Sequence, residues 1–201
     1  MPRKTRGSRT KNADHPTRRV RYSVAMSLDG FIAGPSGEFD WIIMDPEIDF
    51  KAIYSQFDTM VMGRRTYEVV KGAGGGESST EGMQVFVFSR TLRQEDHPGV
   101  TIVDDPAGLM AELRSKPGKD VWLFGGGSLF RSFAELGLVD TVEVAVIPVL
   151  LGEGVPLMPA PAKRVTLTLT GHKLYAKTGT MFLEYAVQYW RGSKRRSKSR
   201  A

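Results

Sequence analysis

The strongest constraint on this chain is an alternation. From about residue 20, short runs of β-branched and aromatic residues trade places with stretches of helical periodicity. Residues 21–26 read as a strand, 27–41 as a loop rich in glycine, and 48–57 as a helix. Residues 59–62 read as a buried strand, followed by a short helix over 64–70. Strands at 84–88 and 100–103 come next, then a helix over 106–115 behind the cap-like Asp104 and Asp105. Residues 121–124 form a further strand and 128–136 a helix. The last three runs, 141–149, 165–174 and 180–189, have only turns between them, such as Lys177-Thr178-Gly179. Helices between successive strands imply right-handed crossovers and a parallel sheet covered on both faces. The expected class is α/β: three layers in one domain over residues 20–190, with a mostly parallel sheet that finishes in an antiparallel C-terminal strand pair.

Charge is unevenly spread along that pattern. The whole chain has 28 Lys and Arg against 22 Asp and Glu, a formal +6. Residues 1–21 hold eight bases and one acid, and 191–201 hold six bases and no acid. Between 22 and 190 that leaves 28 − 14 = 14 bases and 22 − 1 = 21 acids, a net −7. An acidic body therefore carries basic tails, 1–19 and 191–201, expected to be disordered because they lack apolar residues. Salt-dependent nucleic-acid contact is an expectation for the tails alone, and a weak one, since few aromatic residues interleave the bases. The Gly/Ser-rich stretch 72–82 reads as mobile.

Several classes are excluded by what is missing. The longest apolar run, 144–151, contains Pro148 and falls far short of the roughly 18–20 residues of a membrane span. The N-terminus is basic without an apolar stretch, unlike a secretory signal. There is no Cys, hence no disulfide or thiolate nucleophile, and His15, His97 and His172 form no metal-spacing motif. A cytoplasmic, metal-free protein is expected.

Ligands of open α/β sheets bind beyond the carboxyl ends of the parallel strands, and three such ends are suggestive here. Gly63-Arg64-Arg65-Thr66 places arginines at a helix N-terminus, which suits a phosphate as well as it suits a solvated basic turn. Gly125-Gly126-Gly127-Ser128 offers either a backbone approach for a pyrophosphate or close strand–helix packing. Ser89-Arg90 supplies a hydroxyl and a guanidinium that would complete an anion site with Arg64. Such sites on separate strands fit a dinucleotide lying along the sheet edge. The loop after the first strand would then face the reactive end, with Asp29, Gly30, Phe31 and Trp41. A buried carboxyl of raised pKa there would protonate or orient a heterocycle. The candidates are Asp29, Asp40, Asp45, Glu47 and Asp49, of which Asp45 reads as a helix N-cap before Pro46 and Asp29 as a turn former. Phe31, Trp41 and Phe50 are stacking platforms for a ring or ordinary core.

The order of these motifs resembles a known superfamily. Residues 25–33 (AMSLDGFIA), 62–68 (MGRRTYE), 88–90 (FSR), 124–130 (FGGGSLF) and 148–157 (PVLLGEGVPL) are similar to the dihydrofolate reductase-like superfamily. The branch is the one that holds the reductase domain of riboflavin biosynthesis and small stand-alone relatives. The resemblance implies an NADPH-dependent reductase that passes a hydride to a small pyrimidine- or pteridine-like ring, with 5-amino-6-(5-phosphoribosylamino)uracil as the riboflavin-pathway substrate. It implies that Gly63, Arg64, Arg65 and Thr66 hold the adenosine phosphates and that Ser89 and Arg90 meet the ribose 2′-phosphate. Gly125, Gly126, Gly127, Ser128 and Leu129 would cradle the pyrophosphate, while Ala25 and Ala33 lie by the nicotinamide. Asp29 and Glu47 are the catalytic candidates, with Phe31, Trp41 and Phe50 against the substrate ring. Phe31, Ile42-Ile43 after Trp41, and Phe124 replace polar residues of the riboflavin reductase pattern. A nucleotide-binding or sensor module without turnover is the alternative. A homodimer is expected, because relatives commonly pair and the apolar run 142–150 would suit an edge strand.

Overall fold

The computed structural model describes residues 18–72 and 82–189. Most of both basic tails and of the Gly/Ser-rich stretch therefore lies outside the described residues. An eight-stranded sheet forms the middle layer, in the order β5-β4-β3-β6-β1-β7-β10-β9. Its strands are β1 (Val20–Ser27), β3 (Phe57–Gly63), β4 (Gln84–Phe88), β5 (Thr101–Val103), β6 (Asp120–Gly125), β7 (Thr141–Ile147), β9 (Thr166–Tyr175) and β10 (Thr180–Gln188). The pairs up to β1–β7 are parallel, and β7–β10 and β10–β9 are antiparallel. Among the described residues four α-helices complete the layers: α1 (Phe50–Tyr54), α2 (Arg64–Gly72), α3 (Pro106–Arg114) and α4 (Gly127–Glu135).

Side-chain alternation along the strands builds two cores. Val61, Val121 and Leu123 face α3 and α4, packing with Met110, Phe130 and Phe133. Met60, Met62 and Trp122 face the other way, toward Ile53 and Tyr54 of α1 and Tyr67 of α2. A strand buried on both faces reads as an unbroken apolar run, which is why β3 was legible as a buried strand.

Four expectations need correction. The helix anticipated over 48–57 is confined to Phe50–Tyr54, because Phe57 is drawn into β3 and buried. Its N-cap is Asp49, whose carboxylate accepts from Ala52 N–H at 2.9 Å; Asp45 has another task, described below. The loop after β1 contains a short strand, β2 (Phe31–Ala33), paired antiparallel with β8 (Val155–Pro156). Strand β7 is not an edge: it lies between β1 and β10, and the outer strands are β5 and β9. Finally, Arg18 and Arg19 belong to the body. The Arg18 guanidinium is buried and pairs with Asp58, and Arg19 pairs with Asp120 at 2.7 Å.

A buried charged network closes the amino end of the sheet beside α1. Arg21 meets Glu143 through Nε–Oε1 at 2.6 Å and Nη2–Oε2 at 2.9 Å, and donates to Gln56 Oε1 at 2.7 Å. Thr141 Oγ1 donates to the same carboxylate at 3.0 Å. Burial works against the charged guanidinium, but the Glu143 hydrogen bonds and charge outweigh it and push the Arg21 pKa further up.

Candidate active site

The sheet order brings the suspected motifs together. Strands β4, β3, β6 and β1 are consecutive neighbours, parallel, so their carboxyl ends stand side by side. They carry, in that order, Ser89-Arg90, Arg64 and Thr66, the Gly125–Ser128 segment, and Ala25. With neighbouring strands about 4.8 Å apart, the row spans about 14 Å. At its β4–β3 end lies a groove of about 520 Å³ lined by Arg64, Phe88, Ser89, Arg90, Thr91, Asp104, Pro106, Leu129, Ser132 and Leu136. A second hollow of about 330 Å³ continues past Ser89, Arg90 and Asp104 toward Gln94 and Ile102.

Within the groove the polar groups are only partly committed. Arg64, the first residue of α2, pairs with Glu68 one turn on, at 2.9 Å, with both side chains exposed. An anion arriving at Arg64 would exchange with a solvated carboxylate, and such exposed pairs hold weakly. The Ser89 hydroxyl accepts N–H bonds from Thr91 at 3.1 Å and Leu92 at 3.0 Å, which shapes the turn that presents Arg90. Arg90 itself is exposed and enters no ion pair among the described residues. Arg65 is exposed on α2 and is not among the groove-lining residues. Asp104 lines the groove, while Asp105 caps α3 by accepting from Ala107 N–H at 3.0 Å. In the sequence both acids read as cap-like; in the fold Asp105 is the N-cap.

The three glycines have different tasks. Gly126 is the N-cap of α4, without a side-chain cap bond, and its carbonyl accepts from Leu129 N–H at 3.0 Å. A Cβ on Gly126 would stand 3.2 Å from Thr66 Oγ1, and one on Gly125 3.6 Å from the Thr66 methyl. This cradle, between a helix N-terminus and a hydroxyl, fits a diphosphate. Gly127 is instead packed against the chain. A Cβ there would overlap the Pro156 carbonyl oxygen and lie 2.9 Å from that of Leu157. Gly127→Ala is therefore expected to destabilise the fold by about 1–3 kcal/mol through overpacking against backbone, read as a lower urea midpoint; an unchanged midpoint would contradict the contact.

At the β1 end of the row, the turn from β1 to β2 is fastened to the segment between β7 and β8. Gly30 adopts a positive φ of 93°, which its lack of a Cβ permits, and its N–H donates to Ser27 O at 3.0 Å. Ser27 Oγ accepts from Phe31 N–H at 2.9 Å and donates to Asp29 Oδ1 at 2.6 Å. The Asp29 carboxylate also accepts from Gly152 N–H at 2.7 Å and Leu151 N–H at 3.1 Å. Leu28 N–H donates to Val149 O at 2.9 Å, and Leu157 N–H to Gly30 O at 3.0 Å. The Ser27 hydroxyl, then the Gly152 N–H, hold the Asp29 pKa below the ordinary carboxylate value. Asp29 is thus an anion that joins two loops, the opposite of a carboxyl with raised pKa. A depressed folded-state pKa stabilises above the unfolded value, roughly pH 4, and that contribution disappears as pH falls through the folded-state value. The thermal midpoint of Asp29→Asn is accordingly expected to lie below wild type at pH 7 and to converge with it as the pH is lowered into the acid range; parallel curves would refute this.

Asp45, which reads as an N-cap in the sequence, is instead buried, accepting from Glu47 N–H at 2.9 Å and from Thr178 Oγ1 at 2.9 Å, which anchors the 34–48 segment to the β9–β10 turn. Burial would raise its pKa, but the Glu47 N–H and then the Thr178 bonds prevail and lower it. Glu47 itself is exposed and pairs with Lys177 at 3.4 Å. Trp41 Nε1 donates to Glu38 O at 3.2 Å, and Phe50 packs on Tyr54, the start of an aromatic series through Trp122. Ala33 lies against Gly154, and Ala25 on β1 pairs with Ala145. Among the described residues no group of His, Asp and Glu has a metal-holding arrangement. No described helix is long and apolar enough to cross a membrane.

The comparisons agree with this layout. The RibD C-terminal domain matches residues 18–180. The Bacillus subtilis protein YyaP is 34% identical over 185 residues, which cover 87% of this chain and 96% of YyaP. A Shewanella sp. PV-4 structure assigned to riboflavin biosynthesis superposes with a TM-score of 0.73 at 25% identity, covering 85% of this chain and 99% of that one. Enterococcus faecalis dihydrofolate reductase, solved with NADP(H), shares the fold with a TM-score of 0.61 at 16% identity, over 85% of this chain and 97% of its own. The sheet order, the motif-bearing strand ends and the match over 18–180 together make this chain a member of the RibD C-terminal domain family, with a fold like that of dihydrofolate reductase.

Proposed function

We propose that the chain is an NADPH-dependent reductase acting on a small heterocyclic ring of the pyrimidine or pteridine kind. One observation carries this reading: the consecutive carboxyl ends of β4, β3, β6 and β1 present an arginine pair, a diphosphate cradle and a small-residue strand in the order a dinucleotide requires. Arg90 and Ser89, with Arg64 across the groove, would hold the ribose 2′-phosphate. Thr66 and the α4 N-terminus would hold the diphosphate. Ala25 and Ala33 would lie by the nicotinamide, which supplies the hydride when bound. Phe31, Trp41 and Phe50 would position the ring. Asp29 holds the loops around it, and Glu47 is the remaining candidate to carry a proton. The protein's contribution is mainly orientation and electrostatics. The experiment is NADPH oxidation by the full chain across dihydrofolate, folate, the riboflavin-pathway pyrimidine and simple carbonyls. Turnover of at least one ring compound is expected; tight NADPH binding with no turnover of any would make the chain a nucleotide-binding module instead.

We also propose a homodimer formed through the outer strand β9, where Leu169 is 51% and Leu174 56% exposed beside an unpaired edge. Light scattering at micromolar concentration should return twice the chain mass, and a monomer mass would overturn it.

A further inference from the structure

We infer that the substrate of this site is an uncharged ring that carries no phosphate. The inference rests on the reductase reading and concerns the half of the site that the dinucleotide leaves free. Two stretches enclose the carboxyl ends of β1 and β7. Residues 22–50 contain no Lys or Arg and six acids, Asp29, Glu38, Asp40, Asp45, Glu47 and Asp49. Residues 132–162 likewise contain no Lys or Arg. The structure fastens these stretches to each other through Asp29 and the Leu28–Val149 and Leu157–Gly30 bonds. It also ties the 34–48 segment down at Asp45 to Thr178.

Two backbone donors of this region are taken as well. In the 150–154 loop, Leu151 N–H and Gly152 N–H are the donors that would grip an incoming anion, and the Asp29 carboxylate takes both. The chain has supplied its own anion. The bases that border these stretches are Lys177, paired with Glu47 at 3.4 Å, Lys51, exposed on α1, Arg131, which donates to the Pro159 and Pro161 carbonyls, and Lys163 and Arg164 just past residue 162. A phosphate here would meet carboxylates and no uncommitted basic residue within either enclosing stretch, whereas the cofactor half offers Arg64 and Arg90. What these loops do present is hydrocarbon. Leu28 is 64% exposed, Met44 64% and Leu150 70%, with Phe39 and Ile43 about half exposed. Large apolar side chains left open beside a strand-end site are suited to covering a ring.

The test uses the full chain saturated with NADPH and a matched pair of ligands, 5-amino-6-(5-phosphoribosylamino)uracil and the same compound without its phosphate. Binding of each is measured by calorimetry at 50 mM and 500 mM NaCl, alongside turnover. The dephosphorylated compound is expected to bind at least about tenfold more tightly, with the gap narrowing at high salt as repulsion is screened. Equal or tighter binding of the phosphorylated compound, a gap indifferent to salt, or no binding of either ring would overturn the inference. Failure of the underlying reductase reading shows separately, as absence of NADPH binding before any ring is added.

Discussion

Replacing Arg90 or Arg64 by alanine is expected to weaken NADPH binding by about 10- to 100-fold, with a clearly smaller loss for NADH. The figure follows from the roughly 1.5–3 kcal/mol that a hydrogen bond to a charged group contributes, at 1.4 kcal/mol per tenfold. Arg90 is the cleaner test, because it is exposed at the end of β4 and enters no ion pair among the described residues. Arg64 begins from its pair with Glu68, so part of its attraction to phosphate is offset by the carboxylate it must leave. Glu68→Gln should therefore tighten NADPH binding modestly while Arg64→Ala loosens it. Fluorescence titration of both nucleotides against each variant decides the matter. Equal losses for NADPH and NADH would show that these arginines do not read the 2′-phosphate.

The largest effect on stability is expected at Glu143. Alanine there leaves the buried Arg21 guanidinium without its bidentate partner, and breaking a buried pair from one side costs about 3–5 kcal/mol. Against a total of about 5–15 kcal/mol for a domain, that is enough to leave a substantial unfolded fraction. Removing both charges together, as Arg21→Met with Glu143→Leu, should recover most of the loss, since packed hydrocarbon replaces an ion pair at little net cost. Urea unfolding of the two variants distinguishes an uncompensated charge from a simple packing defect. If Glu143→Ala lost less than about 1 kcal/mol, the network would be too well hydrated to count as buried.

The sheet and its ligand edge were legible in sequence because their signals are local. A run such as 59–62 followed by Gly63-Arg64 declares a buried strand and a helix start without reference to the rest of the chain. The neighbour relation of β4, β3 and β6 was not legible, since strand order depends on which faces the crossovers bury. The same blindness to long-range partners explains the misplaced items. Asp45 looked like a cap because its decisive partner, Thr178, lies 133 residues away. Gly127 looked like part of a phosphate loop because nothing local announces the Pro156 and Leu157 carbonyls. Residue 57 has helical neighbours on one side, yet burial in the sheet outweighs the propensity of a short segment. Arg18 and Arg19 looked like tail because their charge suggested solvent, and their partners Asp58 and Asp120 are distant in sequence.

The fastening of the β1–β2 turn to the β7–β8 segment has a mechanical consequence. Four backbone donors and one carboxylate bind those two stretches into a single lip, reinforced by the β2–β8 pair. Neither half can swing independently without breaking bonds at both strand ends. The 34–48 segment is held differently, by the buried Asp45 anchor at one end and by the approach of Gly37 to Val69 of α2 at the other. Between those two points it carries exposed Phe39, Ile43 and Met44. The 34–48 segment is thus a strap held at both ends, beside a lip whose two halves move as one.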